Sequence, residues 1–242
     1  MIETSNEWTK QELKLLIDQY SRGANYEVLL RLLPGRTRKA IEDKATRLGL
    51  RRDTNTILDN ARVGYLDIES NGLKANFHMI LSWFIKERGK DVFHAYTLSK
   101  KDFNLKDKTQ VDRQCTEKLI STLSQFDIVC TYYGTGFDLP FIRTRALYYG
   151  IPFPPYGAVK HFDIYYTVRE KMCLNSKRLE TASKFLGIQG KTPLSGEIWV
   201  AAGLGDEKAL SYVREHNKQD TIVLEKLHDK LIPFMKGTRR SI

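Results

Sequence analysis

Four acidic side chains stand where carboxylates could share divalent cations. Asp67 and Glu69 are two residues apart near the end of an apolar run. Side chains alternate along a strand, so both acids project from one face. Asp138 and Asp220 follow further along the chain. Neighbouring carboxylates repel one another and lose hydration when half-buried, and a divalent cation relieves both penalties. Hard oxygen ligands favour Mg²⁺ or Mn²⁺.

Each acid also has an ordinary structural explanation. The pair on the strand fits a solvated edge before the Asn-Gly turn at residues 71–72, and Asp138 fits the N-cap of a helix. Asp220 lies four residues after His216, so the two share one face of an amphipathic helix that also carries other polar residues. The order and spacing of the acids, more than any one of them, indicate a function.

Three motifs in this order resemble the DEDD superfamily of ribonuclease-H-like 3′–5′ exonucleases. They cover residues 66–73, 131–141 and 216–221. The resemblance spans about residues 61–231 and points in particular to the bacterial ribonuclease-H-like branch, which is related to the exonuclease domains of family-B polymerases. It implies a metal-dependent nuclease in which two Mg²⁺ or Mn²⁺ ions are held by four ligands, Asp67, Glu69, Asp138 and Asp220.

His216 is the fifth predicted catalytic residue, and it departs from the family pattern. The tyrosine subclass has Tyr four residues before the last Asp, whereas the histidine subclass has His five residues before it. Here the residue four before Asp220 is His216, and Tyr212 lies one helical turn earlier. We expect His216 to orient the attacking water or accept its proton, because an imidazole with an ordinary pKa of about 6.5 titrates near neutrality.

The elements that must position these residues follow from the apolar patterning. Predicted strands cover residues 63–69, 78–85, 92–98, 128–132 and 161–164. Predicted helices cover residues 109–124, 139–149 and most of 165–235. Antiparallel strands followed by strand–helix alternation predict an α/β fold with a mixed sheet flanked by helices. The resemblance implies that this fold is of the ribonuclease-H-like type.

Residues 1–52 are predicted to form a separate module of three short helices, joined by a polar linker at 53–60 to the nuclease-like domain at 61–242. A turn before a basic third helix is typical of helix-turn-helix domains, and the segment resembles Myb/SANT-like modules. A protein-binding bundle with a solvated basic face is the alternative. The candidate nucleic-acid contacts are Arg36, Arg38, Lys39, Lys44, Arg47, Arg51 and Arg52.

Further candidate contacts to nucleic acid lie near the nuclease motifs. Tyr133 and Phe137 could stack on a base, although core packing competes for Phe137. Related sequences often carry Asn at position 133. Arg143 and Lys177 could contact the phosphate backbone, and a solvated surface role is the alternative for both.

Composition agrees with a nucleic-acid partner. The 242 residues include 39 basic and 29 acidic side chains, a net charge of +10, which favours a polyanion. The three cysteines form no CxxC pair, and the N-terminus lacks the features of a signal peptide. No apolar run approaches the roughly 20 residues that span a bilayer. We expect a cytoplasmic protein without a membrane partner.

Two other functions remain open from the sequence. One is a DNA-binding protein whose nuclease-like domain is inactive, an idea motivated by the unusual His216. The other is an endonuclease of the ribonuclease H fold. DNA is favoured over RNA as the partner, because a helix-turn-helix module would deliver the nuclease to duplex DNA.

Overall fold

The computed structural model describes residues 7–22, 24, 26–50, 58, 61–190, 193, 195–235 and 241–242. The chain divides into two compact units, residues 1–61 and 62–242. Arg51, Arg52 and the predicted linker, apart from Leu58, lie outside the described residues.

The first unit consists of three helices, α1 (Lys10–Ser21), α2 (Tyr26–Leu32) and α3 (Arg38–Arg47). Thr9 and Glu12 close a capping box at the start of α1, because each side chain accepts a hydrogen bond from the backbone N–H of the other. Thr37 caps α3 through the N–H of Ala40 at 3.2 Å. Leu16, Leu29, Leu33 and Ile41 form the core of this unit. The three predicted helices are confirmed.

The second unit alternates strands and helices. Its strands are β1 (Val63–Ser70), β2 (Ile80–Glu87), β3 (Phe93–Thr97), β4 (Ile128–Thr131) and β5 (Lys160–Asp163). Its helices are α4 (Lys100–Phe103), α5 (Arg113–Leu123), α6 (Asp138–Tyr149), α7 (Ile164–Lys171), α8 (Leu179–Phe185), α9 (Gly196–Gly203) and α10 (Glu207–Leu231). Short 3₁₀ turns cover Lys108–Gln110 and Ile232–Phe234.

The five strands form one mixed sheet in the order β3-β2-β1-β4-β5. The hairpin-connected strands β1, β2 and β3 pair antiparallel, and β4 and β5 join the other edge of β1 in parallel. β1 is therefore central and hydrogen-bonded on both sides, which fixes its register and hence the face on which each side chain lies.

Both faces of the sheet are covered by helices. Every residue of β2 is buried, as expected for a strand between two helical layers. On one face the indole Nε1 of Trp83 donates to the carbonyl of Cys115 in α5 at 3.0 Å. On the other, the Ser82 hydroxyl donates to Asn217 in α10 at 3.0 Å. The predicted fold, a mixed sheet flanked by helices, is confirmed.

None of the described helices is long and apolar enough to cross a membrane.

Candidate active site

β1 presents two acids on one face. Asp67 and Glu69 are partly buried, whereas Leu66 and Ile68, which point to the opposite face, belong to the hydrophobic core. This alternation confirms the predicted orientation of the pair. The β1–β2 register shifts between Glu69 and Ser70, so the irregularity begins directly after the second acid.

Asp138 reaches the same face from the first residue of α6. Phe137 occupies the N-cap position without a side-chain capping bond. The Asp138 carboxylate instead accepts a hydrogen bond at 3.2 Å from the backbone N–H of Ile68, the residue between the two strand acids. Burial raises the pKa of Asp138 to about 7, although backbone N–H donors act in the opposite direction. Capping of its own helix therefore does not explain Asp138.

The loop between β4 and α6 is held by Asp163, a buried residue at the end of β5. Its carboxylate accepts from the backbone N–H groups of Tyr133 at 2.8 Å and Thr135 at 2.9 Å. Tyr133 adopts the left-handed conformation, with φ of 65°. A β-carbon on Gly134 would lie 2.2 Å from the Thr131 hydroxyl, so the turn needs glycine there. These contacts fix where α6 begins and therefore where Asp138 lies.

Helix α10 brings Asp220 and His216 to the acids of β1. Imidazole Nε2 of His216 lies 3.8 Å from Oδ2 of Asp220 and 3.6 Å from Oε1 of Glu69. His216 is 2% exposed. Tyr212 is directed elsewhere, because its hydroxyl donates to the carbonyl of Pro193 at 2.5 Å. His216, and not Tyr212, is the side chain that stands beside the carboxylates.

The charges of the other three acids all act on Asp67. The pKa of Asp67 is raised well above its ordinary range, mainly by burial and then by the charges of Glu69, Asp220 and Asp138. One hydrogen bond opposes these effects, donated at 2.6 Å by the amide Nδ2 of Asn217 to Oδ2 of Asp67.

Trp199 in α9 completes the surroundings of Glu69. Its indole Nε1 donates to Oε2 of Glu69 at 3.1 Å. Its ring packs edge-on against the His216 ring, with centroids 5.3 Å apart. α9 approaches the site closely, since a β-carbon on Gly203 would lie 3.0 Å from Cβ of Asn71.

The chemistry of the donor set fits a divalent cation. Burial and the charges of the other three acids raise the pKa of Asp67 and make its charged form costly, and a bound cation would offset that cost. In the described part of the chain, however, no three His, Cys, Asp or Glu side chains are arranged to hold a metal ion as placed. The predicted ligands therefore remain a prediction.

The predicted nucleic-acid contacts in this unit lie in different settings. Tyr133 is 46% exposed and packs edge-on against Tyr165, which leaves part of its ring accessible. Phe137 packs against the hydrophobic core. The Arg143 guanidinium lies over the Phe153 ring at 5.7 Å. Lys177 donates from Nζ to two backbone carbonyls near the end of α7, which gives it a structural role.

Of the predicted nucleic-acid contacts in the first unit, some already pair with acids of that unit and others are exposed. Arg36 donates to both oxygens of Glu12, at 2.7 and 3.0 Å, and its guanidinium stacks over Trp8. Arg38 pairs with Glu42 at 3.0 Å. Lys44 is partly buried, whereas Lys39 and Arg47 are exposed on α3. Arg36 is therefore part of the internal structure of the unit.

Sequence reasoning missed two residues that contact the acids, Asn217 and Trp199. Asn217 directly follows His216 in the third motif and is completely buried. Amphipathic patterning alone does not predict that burial. The sequence offered one indication of a buried polar partner, because Ser82 is a polar residue inside the apolar run of β2. Trp199 carried no signal of its own.

Comparisons with known proteins agree with the fold described above. A family model of the RNase_H superfamily matches residues 64–232. A family B DNA polymerase from the hyperthermophilic archaeon Pyrobaculum calidifontis is similar in structure, with a TM-score of 0.58 and 16% identity over 72% of this chain and 25% of that chain. At this identity the likeness shows the fold.

A DNA polymerase of Methanocaldococcus jannaschii is 40% identical over 40 residues, which are 16% of this chain and 2% of that protein. The chain thus corresponds to a small part of either polymerase. The family match supports a nuclease-type function. The matched segment is well over half of the chain and contains all four acids, and the chain belongs to the RNase H superfamily.

Proposed function

We propose that this protein is a metal-dependent 3′–5′ exonuclease that acts on DNA and is recruited to it by its N-terminal helical unit. The proposal is carried by the placement of four acids: the N–H between Asp67 and Glu69 on β1 binds Asp138, and Nε2 of His216 lies within 4 Å of both Glu69 and Asp220. Four neighbouring acids, two of them buried and two partly buried, are costly for a protein that needs only a stable fold.

The choice of DNA is supported by two observations. Both similar proteins named above are DNA polymerases. The first unit presents Lys39 and Arg47 on the exposed side of α3, where cations can contact phosphates. The 3′–5′ polarity rests on the resemblance of the three motifs to the DEDD superfamily.

Asp67, Glu69, Asp138 and Asp220 would hold two Mg²⁺ or Mn²⁺ ions. When bound, such ions stabilise the charge that develops on the attacking and leaving oxygens of a phosphodiester displacement. The protein itself holds the acids in register: β1 fixes the spacing of Asp67 and Glu69, and the N–H of Ile68 holds Asp138.

His216 supplies the proton-transfer group in this mechanism. Its Nε2 lies within 4 Å of both Glu69 and Asp220, so a water beside these acids is within its reach. A neutral imidazole accepts a proton at Nε2, and the neighbouring carboxylates stabilise the imidazolium that forms. Its burial excludes bulk solvent from that face.

The test is a digestion panel with single- and double-stranded DNA and RNA, each labelled at the 5′ end or the 3′ end, with Mg²⁺ or Mn²⁺. We expect the wild type to shorten 5′-labelled DNA progressively. Asp220→Asn, which keeps the shape of the side chain but removes its charge, is expected to lower the rate at least about 100-fold.

Asp229→Asn is the matched control, because Asp229 lies on the same helix and pairs with Arg88 on an exposed surface. It should cleave like the wild type. Closed circular DNA separates the alternatives: an endonuclease opens it, whereas an exonuclease leaves it intact. If the protein binds duplex DNA but cleaves no substrate when metal is added, the result would instead support a DNA-binding protein with an inactive nuclease-like domain.

A further inference from the structure

Asn217 bridges two strands beneath the acids. It is completely buried on α10. Its amide nitrogen Nδ2 donates to Oδ2 of Asp67 on β1 at 2.6 Å. Its amide oxygen Oδ1 accepts from Oγ of Ser82 on β2 at 3.0 Å. Ser82, also completely buried, lies 2.9 Å from Oγ1 of Thr97 on β3.

The hydrogen-bonding capacities of these groups give the chain a single direction. An amide oxygen only accepts, so the one hydroxyl proton of Ser82 goes to Asn217. The bond between the two hydroxyls must then be donated by Thr97. Donation therefore runs from Thr97 to Ser82, from Ser82 to Asn217, and from Asn217 to the carboxylate of Asp67.

The carboxylate of Asp67 sets the orientation of the Asn217 amide, because a reversed amide would turn its oxygen toward that carboxylate and be repelled. The Ser82 hydroxyl on β2 then bonds to the amide oxygen, and Thr97 on β3 donates to Ser82. Both hydroxyls thereby restrain the amide with its N–H₂ group toward β1. Neighbours of this kind set the orientation of metal-ligating side chains and tune their affinity.

We propose that Asn217 is a positioning residue that holds the Asp67 carboxylate in the orientation needed to bind a metal ion, and that Ser82 and Thr97 lock the Asn217 amide. The inference rests on the proposed function, since it gives Asp67 the role of a ligand. It adds a hydrogen-bond chain across three strands and one helix that the motif pattern does not contain.

The experiment compares full-length wild type with Asn217→Ala, Ser82→Ala and Thr97→Val. Calorimetry gives the dissociation constant for Mn²⁺, and digestion of an end-labelled oligonucleotide gives kcat and KM as Mn²⁺ is varied. We expect Asn217→Ala to weaken Mn²⁺ binding about 10- to 100-fold. Ser82→Ala should have a smaller effect and Thr97→Val the smallest. KM for the oligonucleotide should stay unchanged, and excess Mn²⁺ should restore part of the rate.

Ser183→Ala is the matched control. Ser183 is equally buried, at 2% exposure, but its hydroxyl donates to the backbone carbonyl of Glu180 in its own helix. The melting temperature is measured for all variants. If Asn217→Ala fails to fold, the other two variants decide.

A purely structural role predicts a different result. The inference would be overturned if the three variants bound Mn²⁺ as tightly as Ser183→Ala does. It would also be overturned if their losses of Mn²⁺ affinity followed the melting temperature and not the place of each residue in the hydrogen-bond chain. In both cases the active wild type and its proposed function would stand. A wild type that neither binds Mn²⁺ nor cleaves any substrate would overturn the proposed function and this inference together.

Discussion

The two oxygens of Glu69 face different neighbours. Trp199 donates to Oε2 at 3.1 Å, and Nε2 of His216 lies 3.6 Å from Oε1. Because the Trp199 ring also packs edge-on against the His216 ring, one aromatic side chain restrains both a predicted ligand and the predicted proton acceptor. At the scale of single residues, the geometry of the candidate site depends on donors outside the acidic motifs.

Trp199→Phe tests this dependence, since it keeps an aromatic ring beside His216 but removes the N–H donor to Glu69. We expect the metal-dependent cleavage rate to fall about tenfold, measured under single-turnover conditions at saturating Mn²⁺. Tyr212→Phe is the control, because it removes a neighbouring hydroxyl that bonds to Pro193. Equal rates in the two variants would show that the indole N–H does not matter.

The sequence predicted the acids but not the residues that hold them. Asp67 and Glu69 could be assigned to one face because the period of a strand is local. The bonds from Asn217 to Asp67 and from Trp199 to Glu69 join residues 150 and 130 positions apart. Periodicity in one chain carries no information about such contacts. For the same reason the bond from Ile68 to Asp138 was not foreseen.

At the scale of elements, the loop from β4 to α6 holds Tyr133 in the left-handed conformation, with φ of 65°. Asn adopts this conformation more readily than Tyr, which would account for the Asn in the sequences that the second motif resembles. Asp163 bonds to two N–H groups of this loop and holds it, and the Tyr133 ring packs against Tyr165.

In the proposed function, DNA recruitment depends on helix α3. Arg36 and Arg38 already pair with acids of their own unit, so the proposed phosphate contacts fall to Lys39 and Arg47. We expect Lys39→Gln/Arg47→Gln to weaken duplex binding and to reduce the slope of log affinity against log salt by about 0.9 per lost contact. Fluorescence anisotropy at several salt concentrations measures both quantities.

Arg31→Gln is compared with Lys39→Gln and Arg47→Gln made singly, because Arg31 is exposed on α2 of the same unit and each of the three substitutions removes one positive charge. A recognition surface on α3 predicts a smaller effect for Arg31→Gln. If all charge removals reduce the slope alike, binding follows the net charge of the unit and α3 has no special role.

At the scale of the whole molecule, each unit contains a glutamate whose pKa is lowered to about 2. In the first unit, the hydrogen bonds from Arg36 are the main cause for Glu12. In the second, hydrogen bonds from His94, then Arg62 and Lys90, lower the pKa of Glu87. Both carboxylates therefore stabilise the folded chain in their charged form.

We expect acid to destabilise both units in the same pH range. Since the folded pKa lies below the unfolded value of 4.5, the contribution is complete above pH 4.5 and is lost as the pH falls toward 2. Chemical denaturation between pH 7 and pH 2.5 measures the free energy of unfolding. Glu87→Gln should be less stable at pH 7 and should lose less stability on acidification; an unchanged pH dependence would contradict the assignment.

The hydrogen bonds to the acids also bear on ion selectivity. Asp67 accepts a hydrogen bond from Asn217 at Oδ2, and Asp138 accepts one from the N–H of Ile68 at Oδ1. A lone pair used in such a bond is not available to an ion, so we expect both carboxylates to favour contact with an ion through one oxygen. Ca²⁺ takes about 6–8 oxygens and often binds carboxylates through both, whereas Mg²⁺ requires a compact octahedron completed by water. The donors around the sheet would thus discriminate between two abundant cations through denticity, before any ion is bound.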